Sequence, residues 1–253
     1  VIQYLLKNAD FANLFRFVSP SFFRVVSPQI LFKIATQMKS NQADQKAWAE
    51  LFEFYTEKLF QAGLGVTIQS ESEGGGSRVD LIAVKTNSGE LGHLILELFF
   101  YQIFESENWV LDFRAEAFQS SEGQLKWVPK RYFFRVSPSF AEGIRGLYRG
   151  FYLGDEELFT RALKSLNMEP AGESLKAHFG QGDQSSVRFK LKVFQETFTQ
   201  VFEVCAQSRT QVQGDFFVLG LMLLGLYESL ESLDSPLNVR GAFESALRKA
   251  SLK

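Results

Sequence analysis

A single cysteine, Cys205, and two histidines, His93 and His178, stand in a chain of 253 residues. One cysteine excludes an intrachain disulfide and permits a reducing compartment. Cys205 falls on an apolar stripe with helical spacing, which makes it a small buried hydrophobe. Neither histidine has a second His, Cys or acidic cluster at ligand spacing, so neither signals a metal site. His93 reads as a satisfied boundary residue of an apolar helix and His178, beside Phe179, as a surface or capping residue. An excess of one charge is also missing. The net charge is −2, and the basic residues form no run, so no electrostatic argument points to nucleic acid. Nor does any stretch reach the roughly 18 apolar residues of a membrane-spanning helix. The longest, residues 216–227, reads as a core helix. The chain opens on Val1 with neither an initiator Met nor a signal-peptide pattern, and is expected to be processed or a fragment.

Phenylalanine is abundant, at 27 residues in a chain that is 45% hydrophobic, so a sizeable core can form. Residues 1–39 read as helices, with Ser19-Pro20 and Ser27-Pro28 as start signals. Ser40 to Ala43 reads as a polar break. Asp44 caps a helix over 45–62 whose face is Trp48, Leu51, Phe52, Tyr55 and Leu59, and Gly63 and Gly65 end it. A strand over 66–70 and another over 78–86 flank Glu73-Gly74-Gly75-Gly76-Ser77. That glycine triplet lacks the Lys-Ser/Thr and the following helix of a phosphate loop, so it reads as a hairpin connector.

Leu91 to Phe104 is apolar nearly all round, the pattern of a helix in the middle of a core. Two extended runs follow, 109–119 and 124–128, joined by Ser120-Ser121-Glu122-Gly123, a good hairpin turn. In the first, Asp112, Arg114 and Glu116 alternate with Trp109, Leu111, Phe113, Ala115 and Ala117, which predicts a half-buried strand with those three on its outer face. Ser137-Pro138 starts a wholly helical remainder. Gly154 and the acids from Asp155 divide its first two helices, a short helix lies in 170–182, and a long one runs from Ser185 or Ser186 to about Ala206. An apolar helix over 215–233 and a last one capped by Asn238 complete the chain.

A buried helix, a hairpin, a short corner and a new helix is the order of a protein-kinase C-lobe. The stretch resembles the core of the AarF/UbiB family of atypical kinases with its catalytic letters replaced. Gln102-Ile103-Phe104 is similar to the family's Q-I-F. Trp109-Val110-Leu111 stands for its His-Ala-Asp, and Phe113-Arg114-Ala115-Glu116 for its His-Pro-Gly-Asn. Gly123 follows Trp109 at the family's spacing of fourteen and opens Gly123 to Val128, but Pro129-Lys130-Arg131 stands for Asp-Phe-Gly. Arg78 to Gly89 resembles the family's hinge segment, and Gly154-Asp155 to Leu166 a later helix. Trp48 stands where the family's regulatory helix carries a Glu, and the nucleotide-binding Lys would precede Val1.

The resemblance implies an α+β, predominantly helical fold: a protein-kinase-like C-lobe with a small remnant N-lobe sheet. Residues 1–90 would form a helical segment with remnant N-lobe and hinge strands, and 91–253 the C-lobe-like part with a hairpin near 109–128. Phosphoryl transfer needs an acid to orient the nucleophile and an Asn and an Asp to hold magnesium. The implied function is therefore a catalytically degenerate binding or regulatory module linked to quinone or lipid metabolism, more a pseudokinase than an enzyme. It would use no cofactor, take a protein or lipid-like partner and no nucleic acid, and sit in the cytoplasm or at the membrane periphery. One alternative is a residual Mg-ATP-dependent kinase or ATPase with Asp112 as displaced catalytic acid and Glu116 as a metal ligand. Another is a metal-dependent nuclease core pairing Asp80 with Glu97, although Phe99 stands where its Lys is expected. Helix over 91–104 fits the kinase-like fold and strand fits the nuclease. A further alternative is an unrelated α+β interaction domain.

Overall fold

The computed structural model describes residues 21–69, 88–121, 124–179 and 186–251. The chain is predominantly helical with a few short strands, an α+β fold. It forms two compact units, each built from three stretches of sequence. The first takes residues 1–40, 136–183 and 191–221, and the second 41–135, 184–190 and 222–253.

In the first unit, the short helix α1 (Phe22–Val25) leads to α2 (Pro28–Ala43). Pro28 opens α2 and the Ser27 hydroxyl accepts from the Ile30 N–H at 3.3 Å, the expected start signal. The expected break at Ser40 to Ala43 is absent: α2 runs through it to Ala43, since three polar side chains and an alanine do not stop a helix with neither Gly nor an internal Pro. Helix α5 (Pro138–Leu153) packs on α6 (Glu156–Ser165). Asp155 caps α6 through the Leu158 N–H at 2.8 Å, and Gly154 ends α5 with a left-handed φ of 73°. The two backbones come so close that a Cβ on Gly150 would lie 2.5 Å from the Phe159 nitrogen. The 3₁₀ turn Glu169–Ala171 and α7 (Gly172–Phe179) precede α8 (Leu191–Gln207). Phe22 packs edge-on to Phe202 at 5.0 Å, and Cys205 is fully buried with its sulfur 3.8 Å from that of Met168. Burial pushes the Cys205 thiol up to about 11.

The second unit begins with α3 (Gln45–Gln61), capped by Asp44 through the Ala47 N–H at 2.9 Å. Strand β1 (Val66–Ile68) follows. Residues 88–105 form α4 (Ser88–Glu105), so the 91–104 segment is helix. Eleven of its residues are buried, Ile95 to Ile103 in one uninterrupted run, as an all-apolar helix requires. Strand β2 (Asn108–Val110), the 3₁₀ turn Ala115–Ala117, β3 (Phe118–Ser121), β4 (Gln124–Trp127) and β5 (Phe133–Arg135) come next. β3 and β4 form the expected hairpin, with Ser121 opposite Gln124, and β1 joins β4 in parallel. β2 pairs antiparallel with β5.

The expected single strand over 109–119 is divided. The chain leaves the ladder after Val110 and turns at 115–117 before re-entering as β3. The long helix expected from Ser185 or Ser186 starts only at Leu191. Val187 instead exchanges both backbone hydrogen bonds with Leu237, and Phe189 buries its ring against Tyr227 at 4.9 Å. These long-range partners hold 186–190 extended. The second half of α9 (Asp215–Ser232) and α10 (Val239–Ala250) complete this unit. Asn238 caps α10 through the Gly241 N–H at 2.8 Å, and α10 lies along α4 with Phe243 edge-on to Phe100 at 5.6 Å. The expected strand over 78–86, the glycine triplet, Asp80 and Ser19-Pro20 lie outside the described residues.

Candidate functional site

The loop from Leu111 to Ala117 carries the residues to which the sequence assigned chemistry, and it is fastened at nearly every step. The Leu111 N–H donates to the Tyr132 carbonyl at 2.7 Å. Trp127 Nε1 donates to the Asp112 carbonyl at 2.8 Å, and the Ser229 hydroxyl donates to the Phe113 carbonyl. The Val128 N–H closes on the Ala117 carbonyl at 2.7 Å. Gly225 of α9 lets the helix approach so closely that a Cβ there would lie 3.1 Å from the Arg114 nitrogen. Beneath the loop, Phe113, Phe118 and Trp127 form a ring cluster with centroids 5.4–6.4 Å apart.

Asp112 is not on an outer face. Its side chain is 1% exposed, because leaving the strand after Val110 turns it inward. One oxygen accepts from Arg114 Nε at 2.7 Å and, more weakly, from the Arg114 N–H at 3.4 Å. The other accepts from Arg114 Nη2 at 3.0 Å and the Lys130 N–H at 2.8 Å. A carboxylate offers about four lone-pair positions, and four donors face Asp112. Arg114 also reaches Glu116, Nη1 to Oε1 at 3.2 Å, and its guanidinium lies 5.9 Å from the Tyr132 ring centroid. Glu116 is 54% exposed. Leu111 and Pro129, which the resemblance sets at the catalytic and magnesium-binding Asp positions, are buried. Lys130 gives its backbone N–H to Asp112.

The magnesium ion of the residual kinase or ATPase alternative does not fit this donor set. A hard cation needs open carboxylate oxygens, and those of Asp112 face a guanidinium and two N–H groups. Among the described residues no group of three or more His, Cys, Asp or Glu is gathered to hold a metal ion. The arrangement can hold the loop in place through its own hydrogen bonds and ion pairs, with two carboxylates sharing one guanidinium.

Glu97 lies inside α4, 3% exposed, where it accepts from Lys249 Nζ at 2.9 Å and from the Ser245 hydroxyl, both on α10. It is an internal ion pair on a helix, not a strand carboxylate. His93 is half-buried on the same helix and His178 lies on α7. Trp48, which the resemblance sets at a regulatory Glu position, has its ring 5.8 Å from that of Phe133.

Sequence reasoning missed the work of Gln102. Fully buried, it accepts from the Val110 N–H at 2.7 Å and donates to the Val110 carbonyl at 3.0 Å. A lone amide in an apolar helix was the available signal. Nearby, Lys58 pairs with buried Glu105 at 3.3 Å. Burial and the Glu105 carboxylate push Tyr101 up to about 12. No family model matches the chain, and no curated protein matches it. No described helix is long and apolar enough to cross a membrane.

Proposed function

We propose that this chain is a catalytically degenerate kinase-like domain of the AarF/UbiB type, working as a binding or regulatory module. The observation that carries the reading is the order of elements around the loop. A buried helix α4, a short strand β2, the fastened loop, the β3–β4 hairpin and a strand β5 returning antiparallel to β2 follow one another. The resemblance implies a buried helix, a hairpin, a short corner and a new helix; α4, the β3–β4 hairpin, residues 129–131 and α5 keep that order, and the three positions it assigns to catalysis carry Leu111, Glu116 and Pro129. A residual kinase or ATPase would need Asp112 free to orient a nucleophile, and its oxygens already face four donors. A nuclease core would need Glu97 beside a second carboxylate on a strand, and Glu97 is a helical ion-pair partner. The partner in this reading is a protein or a lipid-like molecule in quinone or lipid metabolism, met in the cytoplasm or at a membrane surface.

Thermal unfolding with and without millimolar Mg-ATP tests the proposal, because a ligand that binds only the folded state raises the midpoint. No shift is expected. A magnesium-dependent rise of about 2 °C or more, abolished in Glu116→Ala, would replace this reading by the residual kinase or ATPase.

A further inference from the structure

Two carboxylates converge on one guanidinium in the loop after β2. Arg114 grips both oxygens of Asp112, at 2.7 and 3.0 Å, and turns its remaining terminal nitrogen to Glu116 at 3.2 Å. We propose that Arg114 is a built-in cation that takes the place of a divalent metal ion between Asp112 and Glu116 and holds the loop in one conformation without metal.

The buried Asp112 carboxylate must have a cationic or multiply hydrogen-bonded partner to remain in the interior. A guanidinium supplies this through fixed, planar N–H donors, whereas a metal ion would do so through short oxygen bonds. The loop's carbonyls already have donors: those of Asp112 and Phe113 accept from Trp127 and Ser229, and those of Leu111 and Arg114 accept from the Phe113 and Ala117 N–H groups. With Arg114 in place, two negative charges face one positive charge. Without it, Asp112 and Glu116 lose the cation they share, and carboxylate oxygens are the donors a hard divalent cation takes. The wild-type loop is thus closed to metal, and a latent cation site lies beneath the arginine. The inference rests on the atoms of this loop and goes beyond the kinase-like reading. It stands if Mg-ATP binding should overturn that reading through other groups.

The test is the unfolding midpoint of the full chain in EDTA and in millimolar manganese(II), followed by tryptophan emission. Trp48, Trp109 and Trp127, the three tryptophans of the chain, all belong to the unit that contains the loop. Wild type should show no manganese response. Arg114→Ala should have a lower midpoint in EDTA and recover about 2–4 °C or more in manganese. Arg114→Ala combined with Glu116→Gln should lose that recovery. Arg114→Lys keeps a single charge near Asp112 without the fork; it should respond to manganese weakly, and it decides the matter if Arg114→Ala does not fold. A wild-type response abolished by Glu116→Gln would overturn the proposal. So would the absence of any response in both Arg114 variants, or a recovery that survives Glu116→Gln.

Discussion

Gln102 and Val110 exchange two hydrogen bonds as paired residues of a ladder do, although one is a helix side chain and the other a strand backbone. The amide of α4 therefore acts as a strand neighbour for β2, and it does so at full burial. Gln102→Leu keeps the size but strands one N–H and one C=O in the interior. Each unsatisfied group costs about 1–3 kcal/mol, so a total loss of roughly 2–6 kcal/mol is expected. Urea unfolding followed by tryptophan emission measures it. A loss below about 0.5 kcal/mol would show that water or a shifted β2 satisfies Val110.

The Glu97–Lys249 pair joins residues far apart in the chain and has its carboxylate buried. Lys249→Met leaves that carboxylate with the Ser245 hydroxyl as its remaining donor among the described residues and should cost on the order of 2–4 kcal/mol. Glu97→Gln with Lys249→Met removes the uncompensated charge and should recover part of the loss, a coupling that a double-mutant cycle reads directly. The coupling should survive a rise in salt, since buried pairs are screened less than exposed ones. A coupling near zero would mean that Lys249 lies in solvent.

Cys205 makes the alkaline limit of stability measurable. Its folded thiol is raised from 9.0 to about 11 by burial. The unfolded chain therefore releases this proton first, and stability falls as pH rises. The contribution is complete below about pH 9 and is lost progressively towards pH 11, on the order of 2 kcal/mol. Cys205→Ala should flatten that part of the stability–pH curve while leaving the neutral-pH slope unchanged. Equal slopes for the two proteins between pH 9 and 11 would show that the thiol is not buried in the folded state.

Much of the fold was legible because its signals are local. Asp44 and Asn238 cap the helices they were expected to cap, α6 starts at the acids from Asp155 as expected, and Gly154 takes the left-handed turn that ends α5. The all-apolar 91–104 segment is a buried helix, and 118–127 is a hairpin. Ser137 shows where local reading stops. It stands at the expected helix start, yet its hydroxyl donates to Asp215 at 2.7 Å and caps no helix N–H. Asp112 shows the same limit at the site. Alternation with apolar neighbours placed it outside, whereas Arg114 and the Lys130 backbone draw it in. Val187 is a third case, since the strand-like 186–190 segment depends on Leu237, some fifty residues later. In each, a partner distant in sequence or a turn in the backbone outweighs the local pattern, and a period of two or 3.6 carries no record of either.

The packing of α4 against α10 also sets a schedule for synthesis. Helix α4 is apolar almost all round, and the residues of α10 that cover Phe100 and Phe104 leave the ribosome more than a hundred residues later. At about 5–20 residues per second that interval is on the order of ten seconds. Throughout it the Phe100 and Phe104 side of α4 lacks its native cover from α10. The nascent chain is then a natural client for a holding chaperone, and truncations that remove α10 should yield aggregates where the full chain yields folded protein.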